Sequence, residues 1–134
     1  TPDELEQYLV PAKEGHYGKN YNLSMKCWVN GKQVSEGNVK DMDWSFAEIL
    51  ERVSYGTDIF PGDVIGSGTV GTGCFLELNG TGLRLDDNYT PQWLEAGDVV
   101  DMEIDGLGKL SNTMSLVEPN YSILAKKKNL EAVK

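Results

Sequence analysis

The sequence predicts a mainly β chain of the α+β class, in which a folded-over mixed sheet is covered by one α-helix. Three observations carry that expectation. Short apolar runs are punctuated by turn pairs, from Asn30-Gly31 through Gly62-Asp63 and Gly97-Asp98 to Asp105-Gly106. Only one stretch, Trp44 to Val53, keeps a helical period. Strand and helix signals do not alternate, as a doubly wound parallel sheet would require.

Thr1-Pro2-Asp3-Glu4-Leu5 through Leu9 reads as a capped helical turn, with proline early and acids in the first turn. A polar loop, Ala12 to Asn20, follows. Leu23-Ser24-Met25-Lys26-Cys27-Trp28-Val29 alternates like a strand until its end. Asn30-Gly31 then favours the positive φ angles of a tight hairpin turn, so Gln33-Val34-Ser35-Glu36 should pair back. From Asp43, the residues Trp44, Phe46, Ala47, Ile49, Leu50 and Val53 recur at helical spacing, with Asp43 as N-cap and Gly56 as stop. This is an amphipathic helix covering a sheet rather than a cofactor site.

Two segments share one pattern: Phe60-Pro61-Gly62-Asp63-Val64-Ile65 and Leu94-Glu95-Ala96-Gly97-Asp98-Val99-Val100. Each is an apolar residue, a turn containing Gly-Asp, then a strand. The second runs on to Ile104, turns at Asp105-Gly106 and returns through Leu107 to Met114 as a hairpin. From Pro119 the chain mixes Leu130 and Val133 with lysines and reads as a short helix or loose end. Residues 1–118 therefore form one domain unit and 119–134 a tail.

A chain of 134 residues supports one core, not two. Its net charge is −9, and the only basic run is Lys126-Lys127-Lys128, which argues against nucleic acid or an anionic membrane as partner. No apolar run approaches the roughly 20 residues of a membrane-spanning helix. Cys27 and Cys74 each lie in a strand-like apolar run and read as buried free thiols rather than a disulfide. Nothing has zinc-site spacing. A reducing, cytoplasmic setting fits this composition.

Gly66-Ser67-Gly68-Thr69-Val70-Gly71 fits G-x-G-x-x-G and follows Asp63-Val64-Ile65, which reads as a strand. A dinucleotide fingerprint needs a helix directly after the loop, because the helix N-terminus holds the pyrophosphate. Here Phe75-Leu76-Glu77-Leu78-Asn79-Gly80 follows, a short run bounded by glycine that reads as a strand. No Gly-Lys-Ser/Thr is present, so a P-loop fails too. What remains is a loop whose backbone either approaches something closely or turns sharply, with Thr69 as its polar side chain. On a strand, Glu77 shares the face of Phe75 and lies either at an edge or in a site. In a site, a partly desolvated carboxylate can serve as a general base or orient one.

Val29-Asn30-Gly31, Asp41-Met42 leading into Trp44-Ser45-Phe46-Ala47-Glu48-Ile49, the stretch from Phe60 to Thr69, Gly97-Asp98-Val99-Val100 and Ile104 to Asn112 occur in that order. Together they resemble the C-terminal half of the catalytic domain of the fumarylacetoacetate hydrolase family, across roughly residues 1–118. The resemblance implies a mostly β fold of folded sheets. It also implies an enzyme on a 2-oxo or β-diketo acid, acting by C–C hydrolysis, decarboxylation and isomerisation, or dehydration. Mg²⁺, or Mn²⁺ or Ca²⁺, would stabilise the developing enolate as a Lewis acid.

By the same resemblance, the ligands (an Asp, a Glu-x-Glu pair and a further Asp), the catalytic His and the active-site Lys lie upstream of this chain. None is assigned here, and the chain by itself is expected to bind no metal and to be inactive. His16 falls outside the family motifs and reads as a solvated loop residue. Thr69 matches the Gly-Thr that contacts the substrate carboxylate or oxo group, with Gly68 and Val70 shaping the contact. Glu77 matches the glutamate of a Met-Leu-Glu-Leu motif, where it pairs with the catalytic His to activate water. Expected partners are the oxo-acid substrate, the N-terminal half of the same domain and a second copy. The competing expectation is a non-catalytic binding or oligomerisation module built on the same fold.

Overall fold

The computed structural model describes residues 2–117, so the segment expected to form the tail lies outside the described residues. A 3-10 helix at Pro2–Tyr8 leads into strand β1, Leu9–Pro11, which pairs with β2, Lys19–Tyr21, in a small antiparallel ribbon. The main sheet holds β3 (Ser24–Val29), β4 (Lys32–Asn38), β5 (Val99–Ile104) and β6 (Gly108–Thr113), in the order β4-β3-β5-β6. Every ladder among the described residues is antiparallel. The α+β class agrees with the sequence.

Both expected hairpins are present. Asn30 (φ 51°) and Gly31 (φ 78°) turn β3 into β4 with Val29 opposite Lys32. Gly106 (φ 72°) lies in the turn from β5 to β6, and Ile104 faces Gly108. The β3–β4 register shifts between Cys27 and Trp28, so Cys27 faces Ser35 and Trp28 faces Gln33, leaving Val34 as a bulge. The two Gly-Asp turns close by one device. The Asp63 carboxylate accepts the Phe60 N–H at 2.9 Å, and the Asp98 carboxylate accepts the Glu95 N–H at 2.8 Å.

Helix α1 spans Phe46–Ser54 and packs against β2. Its N-cap is Ser45, not Asp43. The Ser45 hydroxyl accepts the Glu48 N–H at 3.2 Å and the Glu48 carboxylate accepts the Ser45 N–H at 2.8 Å, a complete capping box. Asp43 is taken by Lys13, whose Nζ lies 2.8 Å from its carboxylate. The signal for the true start was Ser45-x-x-Glu48.

A second helix overturns the strand expected at Phe75-Leu76-Glu77-Leu78. Helix α2 runs Phe75–Leu85. Its less exposed positions are Phe75, Leu78, Asn79 and Gly82, the i, i+3, i+4, i+7 stripe of a helix. Two of those four are not apolar, while Leu76, Leu83 and Leu85 point to solvent. A hydrophobic reading therefore missed the period. Asn79 is 3 % exposed because it works as a clamp: its amide donates to the Gln92 carbonyl at 2.7 Å and accepts from the Gln92 N–H and the Tyr89 hydroxyl. Asp63-Val64-Ile65 is not a strand either, and Val64 is 97 % exposed.

These corrections change why the dinucleotide reading fails. A helix does follow the glycine loop, but no strand precedes the loop and the described sheets are antiparallel, without the strand–loop–helix unit such a site requires. The thiols are free but not buried as expected, with Cys27 half-buried on β3 and Cys74 exposed ahead of α2. No helix among the described residues is long and apolar enough to cross a membrane.

Candidate functional site

The glycine loop is seated on β4 at two positions of one face. Ser35 and Gly37 are two residues apart on the strand and so point the same way. A Cβ at Gly37 would sit 2.7 Å from Val70 Cγ1, so only glycine lets Val70 settle there. At Ser35, which is 8 % exposed, the hydroxyl lies 3.4 Å from Thr72 Oγ1. The loop then closes on itself: the Gly73 N–H donates to the Val70 carbonyl at 2.8 Å, and a Cβ on Gly73 would come within 2.5 Å of that same oxygen.

Seated this way, the loop forms one wall of a cavity of about 620 Å³. Gly68, Thr69 and Val70 line it together, opposite apolar side chains that include Tyr21, Met25 and Phe46. Asn38 and Asp41 supply polar groups to the same cavity. Thr69 is exposed and Gly68 has φ +104° with open space where a side chain would be, so the backbone there is accessible to a small molecule. The three residues expected to bind substrate, neighbours in the chain, all line this cavity.

Glu77 stands apart from them. It occupies the first turn of α2, is exposed, and is not among the described residues lining that cavity. Its carboxylate accepts the N–H of Thr72 at 2.8 Å, which joins the loop to the helix start. The N-cap, Cys74, makes no side-chain capping bond, and the Glu77 carboxylate satisfies a donor just upstream instead.

His16 is not solvated as expected. Its Nδ1 lies 3.1 and 3.2 Å from the two oxygens of Glu48, and its ring meets Trp44 edge-on at 4.9 Å. An ionised carboxylate only accepts, so Nδ1 is the donor. Withdrawal from water pushes the Glu48 carboxyl up, but hydrogen bonds from Ser45, His16 and the Tyr17 N–H outweigh it and hold Glu48 below the usual range. Next to it the Tyr17 hydroxyl donates to Glu51, which pushes the phenol up. These hydrogen bonds pin the 12–18 loop to α1 around the buried Glu48 carboxylate, while Tyr17 and Trp44 stay more than half exposed. The capping-box pattern was the one trace of them in the sequence.

Among the described residues no group of three or more His, Cys, Asp or Glu side chains is placed to hold a metal ion. The described residues by themselves do not fit a metal centre.

Comparison with known proteins places this geometry in context. The family model described as fumarylacetoacetate (FAA) hydrolase C-terminal matches residues 3–115. The oxaloacetate tautomerase YisK of Bacillus subtilis is 34 % identical over 91 residues, covering 67 % of this chain and 26 % of that protein. The 2,4-didehydro-3-deoxy-L-rhamnonate hydrolase of a Sphingomonas species is 30 % identical over 110 residues, covering 81 % of this chain and 30 % of the relative. Among solved structures, the fumarylacetoacetate hydrolase of psychrophilic Exiguobacterium antarcticum superposes with a TM-score of 0.54 at 32 % identity, covering 71 % of this chain and 30 % of that one. The chain thus spans less than a third of the length of these relatives. With a family model matched over most of its length and relatives named as a tautomerase and a hydrolase, the chain belongs to the fumarylacetoacetate hydrolase family and corresponds to its C-terminal region.

Proposed function

We propose that this chain is the C-terminal portion of an enzyme that cleaves, decarboxylates and isomerises, or dehydrates a 2-oxo or β-diketo acid. It would contribute the loop that binds the substrate. The observation that supports this most directly is the seating of Gly68, Thr69 and Val70 on the rim of one cavity, in a chain of this family. The Thr69 hydroxyl donates to a carboxylate or oxo oxygen, and Gly68 leaves the backbone open for close approach. Glu77 accepts a proton, or holds an imidazole, from outside this chain. A Mg²⁺, Mn²⁺ or Ca²⁺ ion would be held by the N-terminal half of the domain, where the family resemblance puts the ligands. The metal's contribution when bound is to polarise the oxo group. The protein would work in the cytoplasm.

In the full-length protein, Glu77→Gln is expected to lower turnover by roughly 10²–10⁴-fold with folding intact. Thr69→Val is expected to raise KM for the oxo acid more than it lowers kcat. Wild-type kinetics in both variants would remove this loop from the site.

One observation supports a covering partner. Only Leu23 and Val39 are buried apolar residues among those described, whereas Trp44, Tyr55, Phe60 and Trp93 are each more than half exposed. So much exposed aromatic surface suits burial by the N-terminal half, by a second copy in a homodimer, or by both. It also suits the alternative of a non-catalytic binding or oligomerisation module. Light scattering on the 134-residue chain tests the module reading, which a strict monomer disfavours. A homodimer with no oxo-acid binding in the full-length protein favours the module.

A further inference from the structure

Thr72 has φ +65°, and Asn30 in its hairpin turn is the only other described residue besides glycine with positive φ. Asparagine enters that region readily, but a β-branched residue there is an outlier. Such a conformation is strained and persists only where its surroundings impose it. Three contacts do so. The Thr72 hydroxyl donates to its neighbour's carbonyl, Gly71, at 2.5 Å, and its oxygen faces Ser35 on β4. The left-handed backbone turns the Thr72 N–H onto the Glu77 carboxylate at 2.8 Å. An extended backbone at this position would point that N–H elsewhere.

We propose that Thr72 is a positioning residue. Its strained backbone ties the loop carrying Thr69 to the first turn of α2, so that the substrate-facing hydroxyl and the Glu77 carboxylate keep one relative geometry. This rests on the reading of Thr69 and Glu77 given above. The sheet supplies the reference frame. Gly37 receives Val70 and Ser35 faces Thr72, so alternate residues of the loop are registered on alternate residues of β4. Glu77 is then fixed through Thr72 rather than through its own helix cap, since Cys74 provides none. A purely structural turn at this place would be better served by glycine, which adopts the same φ without strain.

That contrast gives the test. In the 134-residue chain, the amide-proton shift of residue 72 is followed by NMR across the ionisation of Glu77. The expected result is a titration at Thr72 that disappears in Glu77→Gln. It should be kept at more than half its amplitude in Thr72→Ser, which retains the hydroxyl. It should be lost in Thr72→Val and fall well below half in Thr72→Gly, which can reach this φ but has no hydroxyl to hold it there, although the glycine variant keeps the fold, as β3 and β4 amide shifts would report. A glycine variant whose amide titrates like wild type would overturn the proposal, because the strained threonine would then position nothing. So would a serine variant as silent as valine. The readout needs no substrate and is therefore independent of turnover. Normal activity in full-length Glu77→Gln would defeat the catalytic reading, and the proposal with it. A defeated coupling would leave Glu77 in the site without its positioner.

Discussion

His16 Nδ1 lies 3.1 Å from the carboxylate of Glu48 across 32 residues of sequence, at the point where the 12–18 loop meets the start of α1. Glu48 carries the helix cap and the loop clamp at once, and it is ionised in both roles. Its folded pKa lies below the unfolded value, so the unfolded chain takes up the proton first. The stabilisation is full above the ordinary glutamate value of 4.5 and is lost as pH falls through the depressed one. Asp43, Asp98 and Asp101 are depressed too, by Lys13, by the Glu95 N–H with Asn30, and by Ser111 with Lys109. All four act with the same sign. The chain should therefore lose stability as the pH falls through the depressed values of these four carboxylates, and Glu48→Gln should flatten that acid limb while leaving a less stable protein at pH 7. Circular dichroism from pH 7 to 2 on both proteins checks this, and parallel curves would refute it.

The cap itself should be measurable. Ser45→Ala removes the acceptor for the Glu48 N–H and is expected to cost about 1 kcal/mol. Urea unfolding gives the number.

Two glycines in α2 should respond oppositely to the same change. At Gly80 nothing lies within 4 Å of a new Cβ, so Gly80→Ala should stabilise by about 1 kcal/mol through helix propensity. At Gly82 a Cβ would come within 2.4 Å of the Tyr89 ring, and Gly82→Ala should destabilise by about 1–3 kcal/mol. The ring is held by its hydroxyl on Asn79 and has little room to retreat. Urea midpoints moving in the same direction would contradict the packing described.

The thiols should separate by reactivity. Burial and the nearby Asp101 charge push the Cys27 thiol up, whereas Cys74 is exposed. A maleimide titration should find one fast thiol, removed by Cys74→Ser. Because Cys74 is an N-cap without a capping bond, the same substitution should raise stability by a few tenths to about 1 kcal/mol.

Gly37→Ala tests the seat of the loop. Its Cβ would lie 2.7 Å from Val70 Cγ1, so the loop must lift from β4 or the strand must shift. The expected cost is about 1–3 kcal/mol, with NMR shift changes concentrated at residues 66–73. Changes confined to β4 would place the loop elsewhere.

Much of the β framework was legible because its determinants are local. Asn30-Gly31 and Asp105-Gly106 accept positive φ cheaply, and each tight turn folds the run after it back onto the run before it. The helix at Phe75–Leu85 was not legible, because half of its inward stripe is Asn79 and Gly82. Those residues face inward to bond Gln92 and to admit Tyr89, and neither reason is visible in a hydrophobic pattern. His16 was misread for a similar cause, as its partner stands 32 residues away.

For the candidate site, the residues themselves came from the sequence: a glycine-rich loop with Thr69 inside it and a glutamate a few positions on. The family followed from the order of short motifs. Their arrangement came only from the tertiary structure. Contacts between β4 and the loop decide that Val70 rests on Gly37, that Thr72 is held left-handed, and that Glu77 meets the loop from a helix rather than a strand. Turn chemistry depends on neighbours in the chain and can be read from them. Where a carboxylate finds its donor depends on which segments fold together, and that is a property of the packed molecule.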